Sequence, residues 1–227
     1  FIALVPLIRI IMMKQAIPKS GYALIWLAAT LYWLVSLQGL RHAHWAMHFC
    51  WMALAAYLAI YQVLFVFAAR QVLSRREITL FVVIAVAWTG QECLRNYLIT
   101  GISACMLGHA VADIPFLTQI ADLFGSYGIS FLIASVNACI YLAIVSVKHR
   151  TVVKGTGLNL ASVAVLLGGT ILYGGVTSET PLGESLGTLA LVQRSEPGEY
   201  VQSMDREVEL FRNYAKESRV AFARAGE

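Results

Sequence analysis

Long uninterrupted apolar runs, broken by short polar clusters, dominate the first three-quarters of the chain. Five stretches are long enough to cross a hydrocarbon layer of about 30 Å, which takes roughly 20 helical residues. They are about 22–40, 45–69, 78–98, 129–147 and 156–176, and Phe1–Met13 reads as the tail of a further span. Helix is the expected form, because backbone N–H and C=O groups in lipid must be satisfied within the segment. A membrane β-barrel would alternate every second residue. Runs such as Leu80-Phe81-Val82-Val83-Ile84-Ala85-Val86-Ala87 do not.

Two regions break the pattern. Residues 99–128 hold Asp113, Pro115, Asp122, Gly125 and Gly128, too polar and interrupted for a span. They predict a short amphipathic or re-entrant element at the outer interface, then a helical turn Leu117–Phe124 ending at Gly125. Both a cavity wall and a surface loop fit this stretch, since irregular backbone at membrane depth must be covered by protein or line a cavity. After residue 178 the chain becomes polar. Leu186–Gln193 reads as a short buried strand between Gly187 and Pro197-Gly198. Met204–Phe222 reads as a helix, with Val208, Phe211, Tyr214 and Ala215 on one face and Asp205, Glu207 and Glu209 early, where the dipole favours acids. One strand and one helix bury too little to stand alone. The fold class is therefore mainly α: a transmembrane helical bundle over 1–178, then the first β-α unit of an α/β domain over 179–227.

Composition narrows the function. Of 227 residues 59 % are hydrophobic and only 13 % charged, about half the share of a soluble domain. A free-standing soluble enzyme, a disordered tail and a nucleic-acid binder are poor fits. Residues 1–178 carry eleven Lys/Arg against four acids, and residues 179–227 six against nine, so +7 and −3 make up the net +4. Lys14, Lys19, Arg70, Arg75, Arg76, Lys148, Arg150 and Lys154 fall in the loops of one side, against Arg41 and Arg95 on the other. Positive charge stays on the cytoplasmic side. The last span then runs outward, and everything after Val176 is expected outside the cytoplasm. The opening at Phe1 inside an apolar run, and the abrupt Arg224-Ala225-Gly226-Glu227, suggest a piece of a longer protein.

Candidate chemistry is sparse. Glu92 and Arg95, three apart on one helix face, are the charged pair inside a span. They read either as a substrate-binding site or as an interfacial ion pair. Cys50, Cys93, Cys105 and Cys139 are scattered, three of them in apolar spans where Cys behaves as a small hydrophobe. His42, His44 and His48 have no carboxylate beside them and read as a polar loop. Trp26, Trp33, Trp45 and Trp51 read mostly as lipid-facing or belt residues. Gly168-Gly169 and Gly174-Gly175 suggest close helix packing. No metal or cofactor site is expected.

Several of these residues fall into longer motifs. Trp88-Thr89-Gly90-Gln91-Glu92-Cys93-Leu94-Arg95, followed by Leu98-Ile99-Thr100-Gly101, resembles the W-x-x-x-E-x-L-R…L-T-G stretch of apolipoprotein N-acyltransferases. Pro115, Gln119, Ala121-Asp122, Gly125, Tyr127-Gly128 and Ser130-Phe131 are similar to a second segment of those enzymes, and Asn137 follows as it does there. Tyr57-Leu58, Tyr61 and Leu64-Phe65 fit a third, and Leu189-Ala190-Leu191-Val192-Gln193 resembles the first strand of the family's nitrilase-like domain. Departures are Ile102-Ser103-Ala104 where the family often has F-P-W, and Arg194-Ser195-Glu196-Pro197 where it has G-N-I-P.

The resemblance implies a multi-pass protein of a bacterial inner membrane, with its C-terminal part periplasmic. It implies transfer of an acyl chain from a phospholipid donor to the N-terminal diacylglyceryl-cysteine of an apolipoprotein acceptor, through an acyl-thioester. The family's catalytic Glu, Lys and Cys lie beyond the first strand and helix of the nitrilase-like domain. No W-P-E occurs here, so the resemblance places no catalytic residue in this chain and implies that it is inactive alone. A polytopic transporter and a non-catalytic membrane scaffold are the rival readings. A transporter would show polar residues in several spans and repeat symmetry, and neither is evident.

Overall fold

Asparagine and arginine side chains, rather than loops, tie the helix ends of this protein together. The computed structural model describes residues 2–42, 44–75, 79–99, 101–149, 155–179, 191–193 and 203–225. The helices are α1 (Val5–Ile11), α2 (Lys19–Ser36), α3 (Met47–Arg75), α4 (Leu80–Tyr97), α5 (Pro115–Thr118), α6 (Ala121–His149), α7 (Thr156–Glu179) and α8 (Met204–Ala225). Two 3₁₀ turns, Gln38–His42 and Leu107–Val111, lie between them. The chain divides into two units, Phe1–Ser36 with Ala53–Thr180, and Leu37–Met52 with Pro181–Glu227.

In the first unit α4 packs along α6, α6 along α7, and α1 against α6. Ile8, Ile25, Phe65, Ile84, Ala138 and Val163 bring six helices into one core. The interior is unusual for a water-soluble bundle. Ala55, Ala59, Ala69, Ala134, Ser130 and Ser135 are wholly buried, while Val35, Val147, Val165, Leu172 and Val176 are at least 70 % exposed. Small residues inside and large apolar ones outside are the packing of helices in lipid, where tails solvate Leu and Val and close backbone approach supplies the cohesion.

Among the described residues three helices are long and apolar enough to cross a membrane: Met47–Leu73, Ala121–His149 and Thr156–Ser178. The stretches expected as spans over 22–40 and 78–98 form helices α2 and α4, each of 18 residues, which are not among those three. They rise about 27 Å, just under the hydrocarbon thickness, and carry Lys19 or Glu92 and Arg95. The boundaries differ from the sequence reading. The span expected over 22–40 stops at Ser36, where the chain tightens into the Gln38–His42 turn. The span expected over 129–147 starts at Ala121, because helix resumes on both sides of a break at Gly125 (φ 61°, ψ −169°). Only glycine takes that backbone conformation readily. Phe1–Met13 yields only the seven-residue α1.

Helix termini leave unpaired N–H and C=O groups that are costly away from water. Asn137 Oδ1 on α6 accepts the Leu4 N–H at 2.9 Å, at the start of α1. Asn159 Oδ1 on α7 accepts the Phe81 N–H at 3.0 Å, at the start of α4. At the other end of α1, Arg70 donates to the carbonyls of Ile10, Ile11, Met13 and Gln15 at 2.7–3.1 Å. A guanidinium here meets both the orphan carbonyls and the negative pole of the helix. We expect Arg70→Ala to destabilise the protein by about 2 kcal/mol, and Arg70→Lys to recover under half of that because an ammonium lacks the planar fork. Denaturant unfolding in micelles checks both.

In the second unit the Arg41 guanidinium lies 5.7 Å from the Trp51 ring centroid, and His48 Nδ1 is 3.0 Å from the Trp45 carbonyl. The expected tail helix is α8. Ser203 caps it, its Oγ accepting the Arg206 N–H at 3.3 Å and its carbonyl the Glu207 N–H at 3.1 Å. The expected strand Leu186–Gln193 is corrected where it can be described. Leu191–Gln193 has no regular structure, and Leu191 is 89 % exposed rather than buried. A strand needs a paired edge, and no strand is found among the described residues. Residues 186–190 lie outside them.

Candidate functional site

Trp88, Gln91, Glu92 and Arg95 follow one another at i, i+3, i+4 and i+7 on α4, the spacing of a single helix face. That face points inward. Glu92 is 1 % exposed and Arg95 3 %, so the pair sits in the protein interior rather than at an exposed interface.

The expected ion pair between them is not formed; each charge has its own partner. Glu92 Oε1 accepts the Trp88 indole N–H at 2.9 Å and the Leu107 backbone N–H at 2.7 Å. Through the second bond it fastens the Leu107–Val111 turn to α4. On the other side of that turn the Gly108 N–H donates to Ser130 Oγ on α6 at 2.8 Å. The turn is thus clamped between two helices, with Met106 and Val111 buried beside it. Arg95 instead stacks over Trp33, its Cζ 5.1 Å from the ring centroid. This cation–π contact, shielded from water, is worth about 2 kcal/mol. The Trp33 indole N–H donates to Gln62 Oε1 on α3 at 3.3 Å. Trp33 is therefore a buried support for Arg95 and not a belt residue, in contrast to Trp45, which is 71 % exposed.

Several polar atoms at this point make no hydrogen bond among the described residues: Gln91 Oε1, Glu92 Oε2, Arg95 Nε and Arg95 Nη2. Gln91, Glu92 and Arg95 are among the residues at one end of a cavity of about 710 Å³ that continues between α1 and α2 as far as Gln15 and Pro18. Beyond the polar end its wall is apolar, with Leu7, Ile10, Leu24, Ile25 and Ala28. Sites for small molecules are commonly of this size, apolar with a few convergent polar groups. A second cavity, about 580 Å³, lies beside the Gly125 break, between Phe124, Tyr127 and Gly128 on α6 and Val165, Gly169 and Thr170 on α7.

The region 99–128 contributes Cys105 and Leu107 to the first cavity, and so is partly cavity wall. Its expected turn Leu117–Phe124 is split into α5 and the first turn of α6. Tyr173 on α7 donates to Asp122 Oδ2 at 2.6 Å, and α5 runs against α7. Of the expected close-packing glycines, Gly174 serves: a Cβ there would fall inside the Phe116 carbonyl, whereas Gly168, Gly169 and Gly175 face open space. Cys139 is buried as expected, but Cys50 and Cys93 are exposed. Among the described residues no three His, Cys, Asp or Glu side chains gather as metal ligands.

Sequence reasoning missed Trp33, Gln62 and the Leu107 amide. Gln62 gave a usable signal, a lone amide inside the apolar run Leu54–Phe67. The cavity is an apolar trough with Gln91, Glu92 and Arg95 at one end.

Residues 1–139 match the family model of the apolipoprotein N-acyltransferase N-terminal domain. The chain is similar to an apolipoprotein N-acyltransferase of Rhodopirellula baltica, 41 % identical over 234 residues, covering 95 % of this chain and 40 % of the relative. It is similar to that of Geobacter metallireducens, 33 % identical over 62 % of this chain and 27 % of the relative. It is also similar to that of Pasteurella multocida, 35 % identical over 44 % of this chain and 18 % of the relative. The alignments thus span two-fifths or less of these relatives. No solved structure matches.

Proposed function

The chain belongs to the apolipoprotein N-acyltransferase family, and from that premise we propose that it is the membrane-embedded part of an enzyme that N-acylates lipoproteins. The reaction breaks an acyl ester of a phospholipid and forms an amide on the α-amino group of an N-terminal diacylglyceryl-cysteine. An acyl-thioester divides the transfer into two easier steps. We assign no catalytic residue to this chain. Its contribution is to hold acyl chains where they are soluble. Drawing a 16-carbon chain into water costs about 12 kcal/mol at roughly 0.8 kcal/mol per methylene, so donor and acceptor must both meet the enzyme within the bilayer.

Glu92 and Arg95 take the substrate side in this reading, Arg95 as the group that meets the lipid and Glu92 as the residue that fixes the wall beside it. The observation that carries the reading is the buried, polar-ended cavity built on α4, inside the residues that match the family. In this reading the protein belongs to a bacterial inner membrane, with the residues after α7 in the periplasm. The loop charges support that orientation.

The full gene product, reconstituted with phospholipid bearing a radiolabelled acyl chain and a diacylated lipopeptide with a free α-amino group, is expected to give an amide-linked labelled product. The same lipopeptide acetylated at that nitrogen should stay unlabelled. No transfer by folded protein would overturn the assignment.

A further inference from the structure

From Ala112 to Gly128, all of them described residues, no side chain is buried. The stretch nevertheless joins a turn that buries Val111 to a helix that buries Ile129, Ser130 and Leu132. Its hold on the core is light: Leu117, Ile120 and Ala121 rest half-buried on Val111, Ile129 and Ile133. Segments with so little buried contact open locally at low cost. Yet this one keeps its own shape. The Leu117 and Thr118 N–H groups donate to the Ile114 carbonyl, Gln119 to Pro115, Asp122 to Gln119, and Phe124 to Ile120, at 3.0–3.2 Å. It can therefore move as one piece without losing its backbone bonds.

The boundary of that piece is built from glycines. At Gly125 the backbone lies in a region that only glycine enters readily. A Cβ there would meet open space, so conformation and not packing requires the glycine. Hinges are short stretches that absorb such changes in φ and ψ. Three residues on, a Cβ at Gly128 would fall 2.5 Å from Phe124 Cβ. The break turns Phe124 back onto α6, and Gly128 leaves a seat for it. On the other side the piece meets α7. The Phe116 carbonyl lies against Gly174, and the exposed Tyr173–Asp122 hydrogen bond, 2.6 Å, fastens the two.

The cavity of about 580 Å³ lies under this piece. Ile120 and Phe124 form its side toward the piece, while Phe131 on α6 and Leu166 and Thr170 on α7 form its floor, and its wall carries no charge. We propose that Pro115–Phe124 is a flap, hinged at Gly125 and latched to α7 by Tyr173 and Asp122, that governs access to the cavity between α6 and α7. Opening breaks one exposed hydrogen bond and lifts Ile120 and Phe124 away, and no fully buried side chain leaves the core. The inference goes beyond the acyl-transfer reading and does not depend on it.

The test uses the full gene product in phospholipid nanodiscs. Tyr173→Phe removes the latch hydroxyl and keeps the ring. Hydrogen exchange at amides between Phe116 and Phe124 is expected to speed up about tenfold in this variant, equivalent to about 1.4 kcal/mol. Amides from Ile129 to Leu142, in the buried part of α6, should be unchanged. Access is read separately, in protein whose four cysteines are replaced by alanine. Thr170→Cys puts a thiol on the cavity wall, and methyl methanethiosulfonate, small and uncharged, measures how fast it is reached. Tyr173→Phe should raise that rate about tenfold, and Gly128→Ala, which evicts Phe124 from its seat, should raise it too. Val163→Cys, buried in the core on the same helix, should stay slow in every background. Thr170→Cys reacting at one rate in all backgrounds overturns the flap. Exchange that rises evenly over α6 and α7 overturns the hinge, because the bond would then be holding the whole bundle. Neither measurement needs turnover. Absence of acyl transfer by folded protein would leave the flap standing, and a failed flap would leave the acyl-transfer reading standing.

Discussion

Alanine at position 92 is expected to cost the protein about 4 kcal/mol, the largest effect of any single substitution considered for this chain. The carboxylate holds two N–H donors, the Trp88 indole and the Leu107 amide, and hydrogen bonds to charged groups contribute about 1.5–3 kcal/mol each. Removing it leaves both donors, each part-buried, without their acceptor. Glu92→Gln keeps a carbonyl oxygen at the same reach, so both bonds persist in weaker, neutral form, and about 1 kcal/mol is expected to be lost. Unfolding by denaturant in micelles gives the two values. Hydrogen exchange at the Leu107 amide should speed up in the alanine variant far more than at amides of the α6 core. A loss below about 1 kcal/mol for alanine would mean that the clamp on the Leu107–Val111 turn is not held by Glu92.

Gly174→Ala is the second. The added methyl would fall inside the backbone carbonyl of Phe116, and backbone cannot swing aside as a flexible side-chain tip can. Helix α5 must lift off α7, and the neighbouring Tyr173–Asp122 bond is lost with it. Overpacking of this kind costs about 3 kcal/mol. One residue on, Gly175 faces open space, and Gly175→Ala should stabilise α7 by a few tenths to about 1 kcal/mol through helix propensity. Opposite signs at adjacent glycines, read in the same unfolding assay, separate a steric cause from a general intolerance of α7 to change.

Those glycines also mark how far the sequence could be read. Gly174-Gly175 in an apolar run indicates close packing, but which of the two meets a neighbour depends on the rotation of α7, which the run does not encode. The apolar stretches announced the helices because lipid imposes length and composition on them. It does not impose where they stop. The early end of α2 at Ser36 and the Gly125 break in α6 are set by local backbone chemistry that hydropathy averages away. Glu92 and Arg95 stood out as charges in a span, and their three-residue spacing suggested mutual pairing. Their real partners are a backbone amide fifteen residues on and a ring sixty-two residues back, and only tertiary packing brings those close.

The two asparagine ties carry a consequence for biogenesis. Leu4 and Phe81 are made early, yet their amides are received by Asn137 and Asn159, on helices synthesised long after. A ribosome delivers the chain from its N-terminus, so α1 and α4 enter the bilayer with first turns that only later arrivals can complete. Until α6 and α7 dock, those turns must borrow hydrogen bonds from water or lipid headgroups. Formation of these two ties therefore runs backward along the chain, later-made helices sealing earlier ones.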